Sequence, residues 1–148
     1  MPAKITIEQF NKLKGSCFKT KKIDTRKSKE KELEDLWREL IKLRVGYKCE
    51  YPGCQKTDHL NSHHIYSRNH KSTKYDPDNG MCLCSGHHTL TSLAAHHDPD
   101  FKEIIIQNGV RTAEFYQRLK MRAFTPAKLD LNLIKLDLEN ELRKYSNN

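Results

Sequence analysis

The stretch CEYPGCQKTDHLNSHHIYSRNHKSTKYDPDNGMCLCSGHH, running from Cys49 to His88, decides how this chain folds. Cysteine, histidine, asparagine, aspartate, glycine and serine dominate it, and no long apolar period survives. A segment of that composition cannot hold its shape by burial alone, so a bound metal is expected to organise it. Two half-sites stand out. In Cys49-x4-Cys54 the pair Pro52-Gly53 lies between the thiols and turns the chain, and a second group gathers Cys82, Cys84, His87 and His88. Thiolates and imidazoles at such spacing converge on a tetrahedral ion, for which zinc is the default. Cys84-x2-His87 has the step of a knuckle turn, whereas Cys82 and Cys84 stand too close together to make one. The expected ligand set is therefore Cys49, Cys54, Cys84 and His87, with Cys17 and Cys82 as ordinary thiols. Four protein ligands leave no open position, so this zinc is expected to hold structure.

Outward from this stretch the chain reads as helices. Leu33, Leu36, Trp37, Leu40 and Leu43 recur at helical spacing between Ser28 and Arg44, with Glu34 and Arg38 as a favourable pair, and Gly46 as the stop. Further upstream, Thr6 and Gln9 form a capping box, Ile5 and Phe10 a hydrophobic staple, and Gly15 a stop. A basic stretch from Lys19 to Lys29 follows, readable either as a solvated connector or as an arm along phosphates. Downstream, Asp98-Pro99 is expected to open a helix that closes at Asn108-Gly109. Another helix is expected from Thr112 to Arg122. In the last segment Leu129, Leu131 and Leu133 alternate like a strand, while Ile134, Leu138 and Leu142 step like a helix, which is the preferred reading beyond Leu133.

The chain of 148 residues is 36% apolar and 31% charged, a modest core that gains from a metal staple. Its net charge of +8 suggests a polyanionic partner. No apolar run approaches the length of a membrane span, and the N-terminus lacks the apolar stretch of a signal peptide. A cytoplasmic location is expected, where disulfides rarely persist and five cysteines call for another explanation.

Between the zinc half-sites lies Ser62-His63-His64-Ile65. Fourteen residues separate His64 from Asn79, and eight more separate Asn79 from His88. This H-x14-N-x8-H pattern nested between paired zinc ligands resembles the HNH endonucleases. The strings His63-His64-Ile65, Asp78-Asn79-Gly80 and Cys84-Ser85-Gly86-His87-His88 correspond to that family's blocks in order, over about 40 residues from Cys49 to His88. The resemblance implies an α+β fold: a small ββα-metal (His-Me finger) core with a zinc knuckle, flanked by N- and C-terminal α-helices. Taken with the helices read on either side, the chain is expected to divide into an N-terminal helix and basic arm over residues 1–27, a nuclease core with its adjoining helices over 28–108, and a C-terminal helical extension over 109–148.

The resemblance also implies roles. His63, at the end of the first strand, and His88, at the start of the helix, would ligate a catalytic divalent ion. His64 would be the general base, and Asn79 would hold the connecting loop and orient that base. Adjacent strand residues face opposite ways, which fits a division between ligand and base without saying which is which. The family commonly has cysteine where His87 stands, so His87 and His88 could exchange roles. A helix running on from His88 would carry His96 about 80° around from it, able to touch the site or a phosphate, with His97 pointing away. Arg68, in the loop between His64 and Asn79, is a candidate phosphate clamp. The catalytic ion would be magnesium or manganese, with nickel or zinc as alternatives.

The implied function is hydrolysis of DNA phosphodiesters, leaving 5′-phosphate and 3′-hydroxyl ends. Short basic nucleases of this kind resemble those of bacteriophages and mobile elements, which leaves a homodimer or a phage or replication partner open. Two other readings stand beside it. One is a non-catalytic zinc module that binds DNA; the other is a nuclease that cleaves RNA.

Overall fold

The computed structural model describes residues 25–146. The helix expected between Thr6 and Gly15, most of the basic arm, and Cys17 lie outside the described residues. Within them the protein is α+β, with helices on both sides of a two-stranded antiparallel sheet.

Helix α1, Arg26–Leu43, begins where Thr25 Oγ1 accepts a hydrogen bond from the Ser28 amide at 3.2 Å. Leu33, Trp37, Leu40 and Ile41 form its buried stripe, at the i, i+4, i+7, i+8 spacing of an amphipathic helix. Each such side chain contributes about 1.5–3 kcal/mol on burial. The strands are β1, Leu60–His64, and β2, Gly80–Cys84, in a register that sets His63 opposite Met81 and His64 opposite Gly80. Both faces of β2 are covered. Cys82 joins the α1 core, whereas Met81 and Leu83 join a second core with Phe101, Ile105 and Tyr116. The hairpin is thus the middle layer, which is why every residue of β2 is buried.

Helix α1 is fastened to the hairpin by polar contacts as well as packing. Trp37 Nε1 donates to the Asp76 carbonyl at 2.9 Å, and the Arg44 guanidinium donates to the carbonyls of Pro77 and Gly80 at 2.7 and 2.6 Å. At Gly80 the strand passes close under the helix. A Cβ there would lie 2.2 Å from Ile41 Cδ1 and 2.9 Å from Trp37 Cζ2, so only glycine fits.

Downstream come α2, Phe101–Gln107, α3, Ala113–Phe124, and α4, Leu131–Ser146. Helix α2 starts later than Asp98-Pro99 suggests. The Asp98 carboxylate caps a tight turn instead, accepting from the Asp100 amide at 2.9 Å, and its carbonyl accepts from Phe101 N at 3.2 Å. Thr112 caps α3 through Phe115 N at 3.1 Å. Asp130 Oδ1 accepts from the amides of Asn132 and Leu133, so the alternating leucines open a helix and not a strand. Leu138 of α4 is buried against α1, while Tyr116 of α3 is buried in the second core, so both C-terminal helices complete the packing around the hairpin. No helix among the described residues is long and apolar enough to cross a membrane.

Candidate metal centres

The first cluster is built by a turn, a strand end and a second turn. The Cys49 amide donates to the Lys56 carbonyl and the Cys54 amide to the Tyr51 carbonyl, both at 3.0 Å, folding residues 49–56 into a knuckle. Its tip is Gly53, at φ +75°, a conformation that suits glycine. Glu50 pins the knuckle to β2: its amide donates to the Cys82 carbonyl at 2.8 Å, and its carboxylate accepts from Cys82 N at 2.7 Å. Arg111 neutralises that carboxylate at 2.5 Å. Sequence reasoning missed Glu50, because nothing in its neighbours signals that its side chain is largely covered.

Cys84 ends β2, and a wide helical turn, Gly86–Leu90, brings His87 back over it. Ligand atoms of Cys49, Cys54, Cys84 and His87 all lie within 4.8 Å of one another. His87 Nδ1 stands 3.3 Å from Cys84 Sγ and 3.7 Å from Cys49 Sγ. A tetrahedral zinc with its usual bond lengths separates sulfur from nitrogen by roughly 3.6 Å. The cluster therefore fits a metal such as zinc in both chemistry and size. No disulfide competes, since Cys49, Cys54, Cys82 and Cys84 are free thiols. Burial raises the Cys84 pKa, but the His87 amide, the Cys49 and Cys54 thiols and the Gly86 amide outweigh it and hold the thiol below its ordinary value. Burial pushes the Cys49 thiol up. Tyr51 stacks on the His87 ring at 3.9 Å and 7°, fixing its plane. Cys82 stays in the core, its thiol raised by burial to about 11.

A second cluster includes the residue after His87. Ligand atoms of His63, His88 and His96 also fall within 4.8 Å of one another, with His88 Nε2 and His96 Nε2 3.3 Å apart. That separation equals the edge, roughly 3.3 Å, of a tetrahedral site with metal–nitrogen bonds near 2.0–2.1 Å. The route to it differs from the expected helix. After the wide turn the chain bends, the Ala95 amide returns to the His87 carbonyl at 2.8 Å, and no α-helix forms until Phe101. The 80° offset expected of His96 presupposed a helix; the turn instead swings it onto His88. His97 points away, its Nε2 held by the Thr89 carbonyl at 2.8 Å. Burial, with His96, His88 and His64 nearby, lowers the His63 imidazole to about 3, and burial and His96 lower His88. Both rings are neutral at pH 7, the form in which imidazole ligates a metal.

His64 faces away from this cluster's centre yet lines the same cleft, about 490 Å³ in volume, with His63, His88 and His96. Its ring lies flat on Trp37 at 3.9 Å and 11°, and its Nε2 is 2.9 Å from the Lys74 carbonyl. A carbonyl only accepts, so Nε2 carries the proton and Nδ1 keeps its lone pair. Burial lowers the His64 pKa, opposed by that carbonyl. Asn79 is fully buried and holds the loop that supplies it. Its Oδ1 accepts from Tyr66 N at 2.7 Å, and its Nδ2 donates to the carbonyls of Tyr66 and Thr73 at 2.9 and 3.0 Å. Asn79 thus reaches His64 through the backbone, one residue before Lys74.

Arg68 is paired with Glu34 at 2.9 Å, and Arg38 with the same carboxylate oxygen at 2.7 Å; all three line the cleft. Glu34 and Arg38 read as an ordinary pair along a helix, and only folding adds Arg68 to it. No protein-family model, curated protein or solved structure matches this chain. The functional reading therefore rests on the geometry of these two clusters.

Proposed function

We propose that this protein is a metal-dependent DNA endonuclease of the HNH type. The observation that carries the reading is the cleft itself. Three imidazole donors converge there, and a fourth imidazole, His64, stands beside them with its ring fixed and Nδ1 free of its proton. Bound by His63, His88 and His96, a divalent ion would supply positive charge for the developing phosphorane and the leaving oxygen. Three imidazoles favour manganese, nickel or zinc over magnesium, which prefers oxygen ligands.

The chain's own residues do the rest. His64 accepts the proton of the attacking water at Nδ1, while the Lys74 carbonyl and the Trp37 face hold the ring and stabilise the imidazolium that forms. Its depressed pKa keeps the ring unprotonated at neutral pH, free to accept a proton. Asn79 keeps the loop, and with it the Lys74 carbonyl, in place. Arg68 and Arg38, gathered by Glu34, offer guanidinium forks to phosphates flanking the cut. The excess of +8 draws the polyanion in. The Cys49, Cys54, Cys84, His87 cluster, with four ligands and no open position, is assigned to structure.

The test is cleavage of supercoiled plasmid by protein stripped with a mild chelator and resupplied with manganese, nickel, zinc or magnesium. Metal-dependent nicking by the native chain, lost in His64→Ala, is expected. Salt-sensitive DNA binding without cleavage under any metal would leave a zinc-stabilised binding module. Cleavage of RNA in preference to DNA would move the substrate.

A further inference from the structure

A second cavity, about 250 Å³, lies beside His63. His63, Ile65 and Ala95 line both this cavity and the cleft, so the two adjoin. The lining is mostly apolar and aromatic, with Tyr66, Met81, Phe101 and Tyr116 among its walls. Asp98 and Lys102 add one carboxylate and one ammonium, and Lys102 Nζ sits 4.9 Å from the Tyr116 ring centre. Such a mixture, broad apolar faces with a few polar groups, is the usual make-up of a site for a flat ring. The aromatic surface continues outward from Tyr66. Its ring lies 6.4 Å from His70 and 6.3 Å from Phe124, and His70 and Phe124 lie 4.6 Å apart. Phe124 is 63% exposed, so this aromatic surface is open to solvent.

We propose that this cavity receives an unpaired nucleobase belonging to the nucleotide next to the scissile phosphate, and that Tyr66, His70 and Phe124 extend a stacking surface for the bases beyond it. The inference rests on the nuclease reading of the adjoining cleft. A phosphate held beside His63, His88 and His96 has its own sugar and base attached, and the cavity that shares His63, Ile65 and Ala95 with the cleft is an adjoining volume for that base. Asp98 offers an acceptor and Lys102 a donor to its edge. A base still paired within a duplex cannot enter, because entry requires leaving the stack. The preferred substrate is therefore DNA with unpaired nucleotides at the cut: a bubble, a flap, a branch or a single strand. Stacking on such platforms gives a preference on the order of tenfold or more for each base engaged.

The experiment uses the full chain with manganese and compares initial cleavage rates on oligonucleotides of one sequence. One is fully paired, one carries a central unpaired bubble, and one carries the same bubble with its bases removed as abasic residues. Bis(4-nitrophenyl) phosphate, a diester without any base, is run beside them. The bubble is expected to be cut about tenfold faster than the duplex, with the advantage lost in the abasic bubble. The exposed substitutions Lys102→Ala and Phe124→Ala, checked for native melting, are expected to narrow the ratio of bubble to duplex severalfold. Equal rates on bubble and duplex, with the base-free diester still hydrolysed, would overturn the base site and leave the nuclease reading standing. No hydrolysis of the diester or of any oligonucleotide would overturn both.

Discussion

Asn79→Ala tests the link between the loop and the base. The side chain is wholly buried and makes three hydrogen bonds, to Tyr66 N, Tyr66 O and Thr73 O, at 2.7, 2.9 and 3.0 Å. Alanine removes all three and leaves the partner groups without replacements. At about 1 kcal/mol net for each bond, the variant is expected to lose about 3 kcal/mol of stability. Against a total of about 5–15 kcal/mol for a domain of this kind, that is a large share. For a chain of this size it corresponds to a fall of roughly 10 °C in Tm. Urea unfolding of the zinc-loaded protein measures the free energy, and a thermal melt gives the midpoint. Cleavage should fall more than folding does: with Thr73 released, the Lys74 carbonyl no longer fixes Nε2 of His64. A loss of at least tenfold is expected at a temperature where the variant is fully folded. A stability loss under about 1 kcal/mol, or full activity in a destabilised variant, would refute the argument that Asn79 positions His64 through the loop.

Gly80→Ala should destabilise by about 1–3 kcal/mol, since the added Cβ meets Ile41 and Trp37 with no room to give; urea midpoints measure it, and a neutral result would mean that α1 can move off the hairpin. Stability should fall as pH is lowered through about 6.5, because burial is the main cause that depresses the pKa of His63, His64, His87 and His88. The unfolded chain then binds more protons than the folded one, so stability is present above the unfolded pKa and is lost as pH falls towards the folded values. Urea midpoints at pH 7.5 and 5.5 check the sign, and a higher midpoint at pH 5.5 would contradict it. Cys54→Ser should weaken zinc retention and lower the melting temperature without acting on the histidine cluster directly; zinc content and a melt of the same sample report it.

The helices flanking the cysteine- and histidine-rich stretch were the most legible part of the fold. Helix α1 combines a full apolar stripe with a Thr25 cap, and α3 has Thr112 at its start, so local chemistry and tertiary packing agree. The end of α2 at Asn108-Gly109 was equally plain, but its start was not, because an aspartate before a proline caps a turn as readily as a helix. The clustering of Cys49, Cys54, Cys84 and His87, which could hold a metal such as zinc, was legible because paired thiols and imidazoles must be close in sequence to turn around one ion. The segment after β2 was misread as a helix. Gly86, Thr89, Thr91 and Ser92 are poor helix formers, and the Thr91 amide and hydroxyl both bond back to the Gly86 carbonyl, closing a wide turn. His96 joined His63 and His88 by that turn and not by helical spacing. The grip on His64 was invisible for another reason: one partner is a backbone carbonyl, which every residue carries, and the other, Trp37, looks like any core aromatic. The cavity beside His63 could not be read at all, since its walls come from β1 and the loop after it, β2, the segment before α2, and the helices α2 and α3.

Two separate metal centres with separate tasks form the centre of this account, and metal content read beside cleavage tests it most directly. Metal-stripped native chain, His88→Ala and His96→Ala are each loaded, freed of loose ions and assayed for bound metal and for plasmid nicking in one preparation. Two bound ions in the native chain are expected. Each variant should keep one zinc and a native melt, and should lose the second ion and the nicking together. A variant that still nicks DNA with a single bound ion would contradict the assignment of His63, His88 and His96 as the seat of the reaction.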